Sequence, residues 1–248
     1  MKGLSLVLVF VGALAVFLAA GAPLSVALDL ADARARGLGY ADASGTVWRG
    51  TLRDVRVAGQ PVGDVALTAQ PWSLTQGALA VSLDARGALR ARGEAQVSPA
   101  GAVTLANASV VLDARDLARL HPELAGRGGE VFIQIDHAAF DAGRACRAAA
   151  GAIQTDVLAR GDGAAWRGPP LAGAITCEDG ALAVALGGAE AGTDVDVQAR
   201  LHPGQGVRVL ANVKTESPEV AAALLYLGFQ EGQEGFSYAY GRGDAGAS

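Results

Sequence analysis

Beyond residue 44 the chain alternates apolar and polar positions with period two almost to its end. In SLDARGALRARGEAQV, Leu89, Ala91, Gly93, Ala95 and Val97 fall on one side of an extended chain, and Arg90, Arg92, Glu94 and Gln96 on the other. The same spacing recurs in Leu79-Val81-Leu83, Val131-Ile133-Ile135, Ile153 to Val157 around Thr155, and Leu171-Ile175-Cys177. It continues through Leu182-Val184-Leu186, Val195-Val197-Leu201, Val207-Val209-Val213 and Phe236-Tyr238-Tyr240. Each run is short and ends at Gly, Asp or Pro, as at Arg86-Gly87, Asp179-Gly180 and Pro203-Gly204. Short strands with turn residues between them and no long helices predict an antiparallel meander.

Two helices interrupt the pattern. Asp113 to His121 carries Leu117, Leu120 and then Leu124 on one side and stops at Pro122. The second has Ser217 as N-cap, Pro218 at the first helical position, Glu219 at the positive end and Gly228 as its stop. Val220, Leu224 and Leu227 form its apolar stripe. So many strands with one apolar face exceed what two helices can cover. The sheet is therefore expected to curl, to pack on itself as two layers, or to leave an apolar groove.

The N-terminus departs from this pattern. Leu4 to Ala22 is an uncharged apolar run that, as a helix, spans about 28 Å, close to the hydrocarbon thickness of a bilayer. It reads as a transmembrane anchor ending at Pro23. A cleavable signal, with small residues at Ala19 to Ala22, is the alternative, but the apolar stretch is longer than signals usually carry.

Composition narrows the function. The net charge is −5, and the lysines are Lys2 and Lys214, so the basic footprint of a nucleic-acid binder is missing. Aromatics make up 5 % of the chain, and Ala, Val and Leu supply most of the hydrophobic share. Cys146 and Cys177 lack CxxC spacing and neighbouring histidines. In an exported domain they read as one disulfide joining two strands of the second half, with separate buried thiols as the alternative. His121, His137 and His202 are scattered, and the first and last precede prolines. No HExxH, P-loop or GxSxG motif is present, so neither an enzyme nor a cofactor is expected. Trp72, in AQPWSLTQG, and Trp166, in GAAWRGPP, are expected to plug or anchor loops rather than stack ligands.

Several segments, in order, resemble one family. They are Ser44-Gly45-Thr46-Val47-Trp48-Arg49-Gly50, then Ala58-Gly59-Gln60-Pro61-Val62-Gly63-Asp64-Val65, then Pro71 and Leu74-Thr75-Gln76-Gly77-Ala78-Leu79. Cys146 to Gly151, Cys177-Glu178-Asp179-Gly180, Ala223 to Phe229 and Phe236 to Gly241 follow. With the N-terminal anchor, this succession resembles type II secretion system protein N. One departure is Ala66, where the family pattern leads us to expect a tryptophan.

The resemblance implies a bitopic protein of the bacterial inner membrane with a periplasmic β domain. It implies an accessory role in the export apparatus, contacts with other secretion-system subunits, and neither enzymatic activity nor a cofactor. It also suggests kinship in shape with groove-forming envelope proteins of the AsmA-like and lipopolysaccharide-bridge types, which makes lipid the alternative partner.

The expected architecture is mainly β: a transmembrane helix and a curved antiparallel sheet, groove-like or half-barrel-like, with one or two short helices. The expected parts are an anchor over 1–23, a linker and short element over 24–43, β halves over 44–121 and 122–241, and a tail over 242–248. Gly45 and Gly50 are expected to let the first long strand bend while Trp48 plugs one end of the apolar face, with Gly63 and Gly228 completing the structural motif. About twenty-five residues separate Trp48 from Pro23, which argues against a membrane-interface position for this ring.

Overall fold

The structure, a computed structural model, describes residues 21–30, 32–35, 37–57, 59–117, 128–160, 166–202 and 206–241. The apolar run 4–22, apart from Gly21 and Ala22, lies outside the described residues, as does the tail 242–248. No helix among the described residues is long and apolar enough to cross a membrane. Fifteen strands are described, and the strand pairs within each unit are antiparallel, as the meander pattern predicts. The chain divides into two compact units, residues 1–90 and 91–248.

The first unit contains helix α1 (Leu24–Leu30) and strands β1 (Leu38–Gly39), β2 (Asp42–Gly45), β3 (Arg49–Val57), β4 (Gln60–Gln70) and β5 (Leu79–Arg86). Their order is β1-β3-β4-β5, with β2 also paired to β3. Directly opposed residues share a face, so Ala43, Leu52, Val65 and Ala85 form one cross-strand row. Leu24 from α1 lies on this row and completes a small core with Leu52 and Val55.

The second unit opens within β6 (Leu89–Val97), followed by β7 (Val103–Asp113), the single turn α2 (Ala114–Leu117), β8 (Glu130–Phe140) and β9 (Cys146–Thr155). Then come β10 (Leu171–Glu178), β11 (Ala181–Glu190), β12 (Thr193–His202), β13 (Gly206–Thr215), helix α3 (Pro218–Tyr226), β14 (Gln230–Gly232) and β15 (Gly235–Gly241). From β7 to β13 each strand pairs with the next, and β15 and then β14 complete the order. Two hairpins turn on two residues, Asp179-Gly180 and Ala191-Gly192, all four at positive φ, the geometry that suits strand twist. The helix expected over 113–121 is described only as α2; residues 118–127 lie outside the described residues.

Helix α3 follows its sequence signals closely. Ser217 Oγ accepts the Val220 N–H at 3.4 Å, and Pro218 occupies the first turn. At the other end Gly228, at φ +87°, lets its own N–H reach the Leu225 carbonyl while the Phe229 N–H reaches that of Leu224. These paired bonds form a Schellman cap, which brings Phe229 back toward Leu224. Val220 and the fully buried Leu224 pack with Leu171, Val195, Val213 and Phe236, and Phe229 and Trp166 join the edge of that core. Trp166 is thus a packing anchor, as expected from its loop.

Candidate functional site

The second unit gathers the sequence's apolar positions on one sheet face. Val110, Ile133, Ile153, Gly173, Leu186, Val197, Ala211 and Tyr238 are successive partners in one row from β7 to β15. Beside it runs Ala108, Ile135, Gly151, Ile175, Val184, Ala199, Val209 and Tyr240. The opposite face carries Asp194, Asp196 and Gln198, and Arg200 pairs there with Glu178 at 2.8 Å.

Cover on the apolar face is uneven. At one end Val195, Val213 and Phe236 are buried beneath α3. In the middle Val197, Ala211 and Tyr238 are half-buried, with the Phe229 ring centroid 5.3 Å from that of Tyr238. At the far end Leu201 and Val207, directly opposed, are each 42 % exposed, and Tyr240 is 50 % exposed. Among the described residues, the far end is a partly open apolar surface rather than a closed core.

Cys146 and Cys177 are joined in a disulfide between β9 and β10. Cys177 stands opposite Leu182 on the apolar face, as its alternation predicts. Strand β9 starts at Cys146 itself, three residues earlier than the alternation suggests. The preceding turn is fixed by Asp141, whose carboxylate accepts the Ala145 N–H at 2.9 Å and the Arg147 Nε–H at 2.8 Å. The Ala145 bond first, then Arg147, holds this carboxyl below the usual carboxylate range.

In the first unit the glycines act differently from the expected strand bend. Gly50 is paired with Gly45, and a Cβ on Gly50 would come within 2.5 Å of Leu24 Cδ2. Its bareness admits α1 onto the sheet. The irregularity in β3 lies further on, where the register shifts between Leu52 and Val55. Asp54 there adopts φ +47°, and its N–H donates to Asp64 Oδ1 at 3.1 Å. Gly63 stands opposite Val55, at φ +109°, with its α-carbon side against the Arg86 carbonyl.

The tryptophans also separate. Trp48 is half-buried, and its carbonyl accepts the Ala69 N–H at 2.8 Å. The adjacent Val47 N–H donates to the Ala22 carbonyl at 3.0 Å, and Pro23 bridges to Thr46. Trp48 therefore sits beside the end of the apolar N-terminal run, despite the distance in sequence. Trp72 is no plug: it is 80 % exposed on the 3-10 turn Pro71–Gln76. Ser73 Oγ donates to the Gln70 carbonyl and Thr75 Oγ1 to the Trp72 carbonyl, fixing the turn while the indole stands out.

His137 is exposed, His202 half-buried, and His121 outside the described residues. Among the described residues no three His, Cys, Asp or Glu side chains converge to hold a metal ion.

A family model described as type II secretion system (T2SS), protein N, matches residues 36–238. The chain belongs to that family; the match covers most of both units and includes the disulfide. No curated protein and no solved structure matches the chain.

The disulfide closes a loop with a sequence separation of 31. Replacing both cysteines with serine should lower unfolding stability by about 3.5 kcal/mol on the chain-entropy account. Urea unfolding of the oxidised protein against the double variant measures this, and an unchanged midpoint would contradict it.

Proposed function

We propose, proceeding from membership of the type II secretion system protein N family, that this chain is an accessory, non-enzymatic subunit of the secretion apparatus. It is held in the bacterial inner membrane by residues 4–22, with the sheet in the periplasm, and acts through contacts with other subunits. The observation that carries this reading is the family match over residues 36–238. Three features support the finer parts. The N-terminal run has the length of a membrane span. The disulfide suits an oxidising compartment. At the margin of the sheet β14 is three residues long and covers only Gly235–Ser237 of β15, leaving an edge of the kind that accepts an added strand.

Deleting the gene in a cell with an active type II system tests the role. Export of the secreted proteins should fall while their synthesis continues, and a plasmid copy should restore it. Undiminished export with normal levels of the other subunits would remove the reading.

The open end of the apolar face around Leu201, Val207 and Tyr240 favours a second reading, in which that face holds a lipid or another hydrophobe. Here the protein isolated without detergent should carry lipid, detected by mass spectrometry. Preparations consistently free of lipid would exclude this second reading and leave the first standing.

A further inference from the structure

We propose that the turn carrying Trp72 and Leu74 is a membrane-docking tip, which inserts into the headgroup layer of the bilayer that holds residues 4–22. This rests on the membrane-anchor reading above, and adds a second contact between the first unit and the bilayer.

Position is the first support. One hydrogen bond, from the Val47 N–H to the Ala22 carbonyl, ties the last residue of the apolar run to the sheet, and Pro23 bridges to Thr46 beside it. That point is the β2–β3 connection, and Arg49 at its end pairs with Thr68 near the end of β4. Strand β4 then runs straight into Pro71–Gln76, so the tip and the end of the apolar run share one end of the first unit's sheet. They lie about three strand spacings, roughly 14 Å, apart laterally. The headgroup layer on each side of a bilayer is roughly 6 Å deep, within reach of a turn fixed so near the chain's exit.

The second support is chemistry. Trp72 is 80 % exposed and Leu74 51 % exposed on the same short turn. The stretch Val65 to Leu83, which forms the tip and its flanking strands, contains no charged residue. Toward the opposite end of the sheet stand Asp54, Arg56, Asp64, Asp84 and Arg86, with Arg56–Asp54 and Arg86–Asp84 in ion pairs, while Arg53 lies mid-strand opposite Asp42. Charge is thus segregated along the strand axis. Between Ala43 and Gly50 the charged residue is Arg49, which is exposed. Its long stem suits a cation that lies along apolar surface and meets anionic headgroups. An indole that is apolar along its body and polar at its N–H belongs at such an interface.

Alone, an exposed tryptophan is unremarkable in a soluble surface. Here the tip is uncharged, a leucine shares the turn with the ring, and hydrogen bonds hold the turn at the same end of the sheet as the end of a span-length apolar segment. These together select the bilayer over a protein partner.

The test uses the full chain reconstituted in phosphatidylethanolamine–phosphatidylglycerol vesicles, as wild type and as Trp72→Ser. Because Trp72 is exposed, the variant should keep the wild-type urea midpoint. The difference in emission between the two proteins isolates Trp72. Lipids brominated near the headgroup end of the acyl chain should quench that component several-fold more than lipids brominated near the methyl end, and its emission should be blue-shifted. If the protein floats with the vesicles and resists carbonate extraction, yet Trp72 is not quenched and stays open to acrylamide, the tip proposal fails while the anchor stands. Shielding from acrylamide without bromolipid quenching, rising with protein density, would assign the tip to a second copy of the chain and equally overturn the proposal. A protein that does not float overturns the anchor and the tip together.

Discussion

The antiparallel register of the second unit is the constraint on which the rest depends. Successive strands oppose one another so that Ile133, Ile153, Gly173, Leu186, Val197, Ala211 and Tyr238 stand in line across the sheet. Because side chains alternate, a slip of one residue at any pairing would exchange Val195 and Val197 for Asp194 and Asp196 on the apolar side. The tight two-residue turns at Asp179-Gly180 and Ala191-Gly192 hold that register from one strand to the next. The uneven cover follows directly. Helix α3 is nine residues long, enough to seal the end of the face around Val195, Val213 and Phe236 but not the rows near Leu201 and Val207.

Much of this was legible in the sequence where the cause is local. Period-two alternation located the strands from Val131 to Tyr240 and placed their apolar residues on a common face. The Ser217 cap and Gly228 stop bounded α3, because capping is settled within a few residues of the helix end. Strand β7 was harder. Its apolar positions run on odd numbers through Val103 and Leu105 and on even numbers at Val110 and Leu112, with Asn107 at φ +49° where the phase changes. A search for unbroken alternation does not find such a strand.

The parts that depend on distant contacts were not readable. Gly50 resembled a bend residue, yet its bareness serves Leu24, which arrives from a helix twenty-six positions earlier. Trp48 looked remote from the apolar N-terminus until the chain folded back to bond Val47 to Ala22. Trp72 had the flanks of a loop anchor, but Ser73 and Thr75 fix its turn through the backbone and leave the ring outside. The two cysteines were easier, since Cys177 falls on the apolar side of its strand and Cys146 opens the neighbouring one. Family membership fits a chain whose described residues offer a broad sheet surface and a short edge strand.

The central structural claim is that the apolar face of the second unit is sealed at one end and open at the other. Solvent paramagnetic relaxation of methyl groups, recorded by NMR on the folded protein, tests it most directly. A soluble paramagnetic probe should broaden the methyl signals of Leu201 and Val207 strongly while leaving those of Val195, Val213 and Leu224 sharp. Equal protection along the whole face would contradict the account and show that the sheet closes on itself as a core.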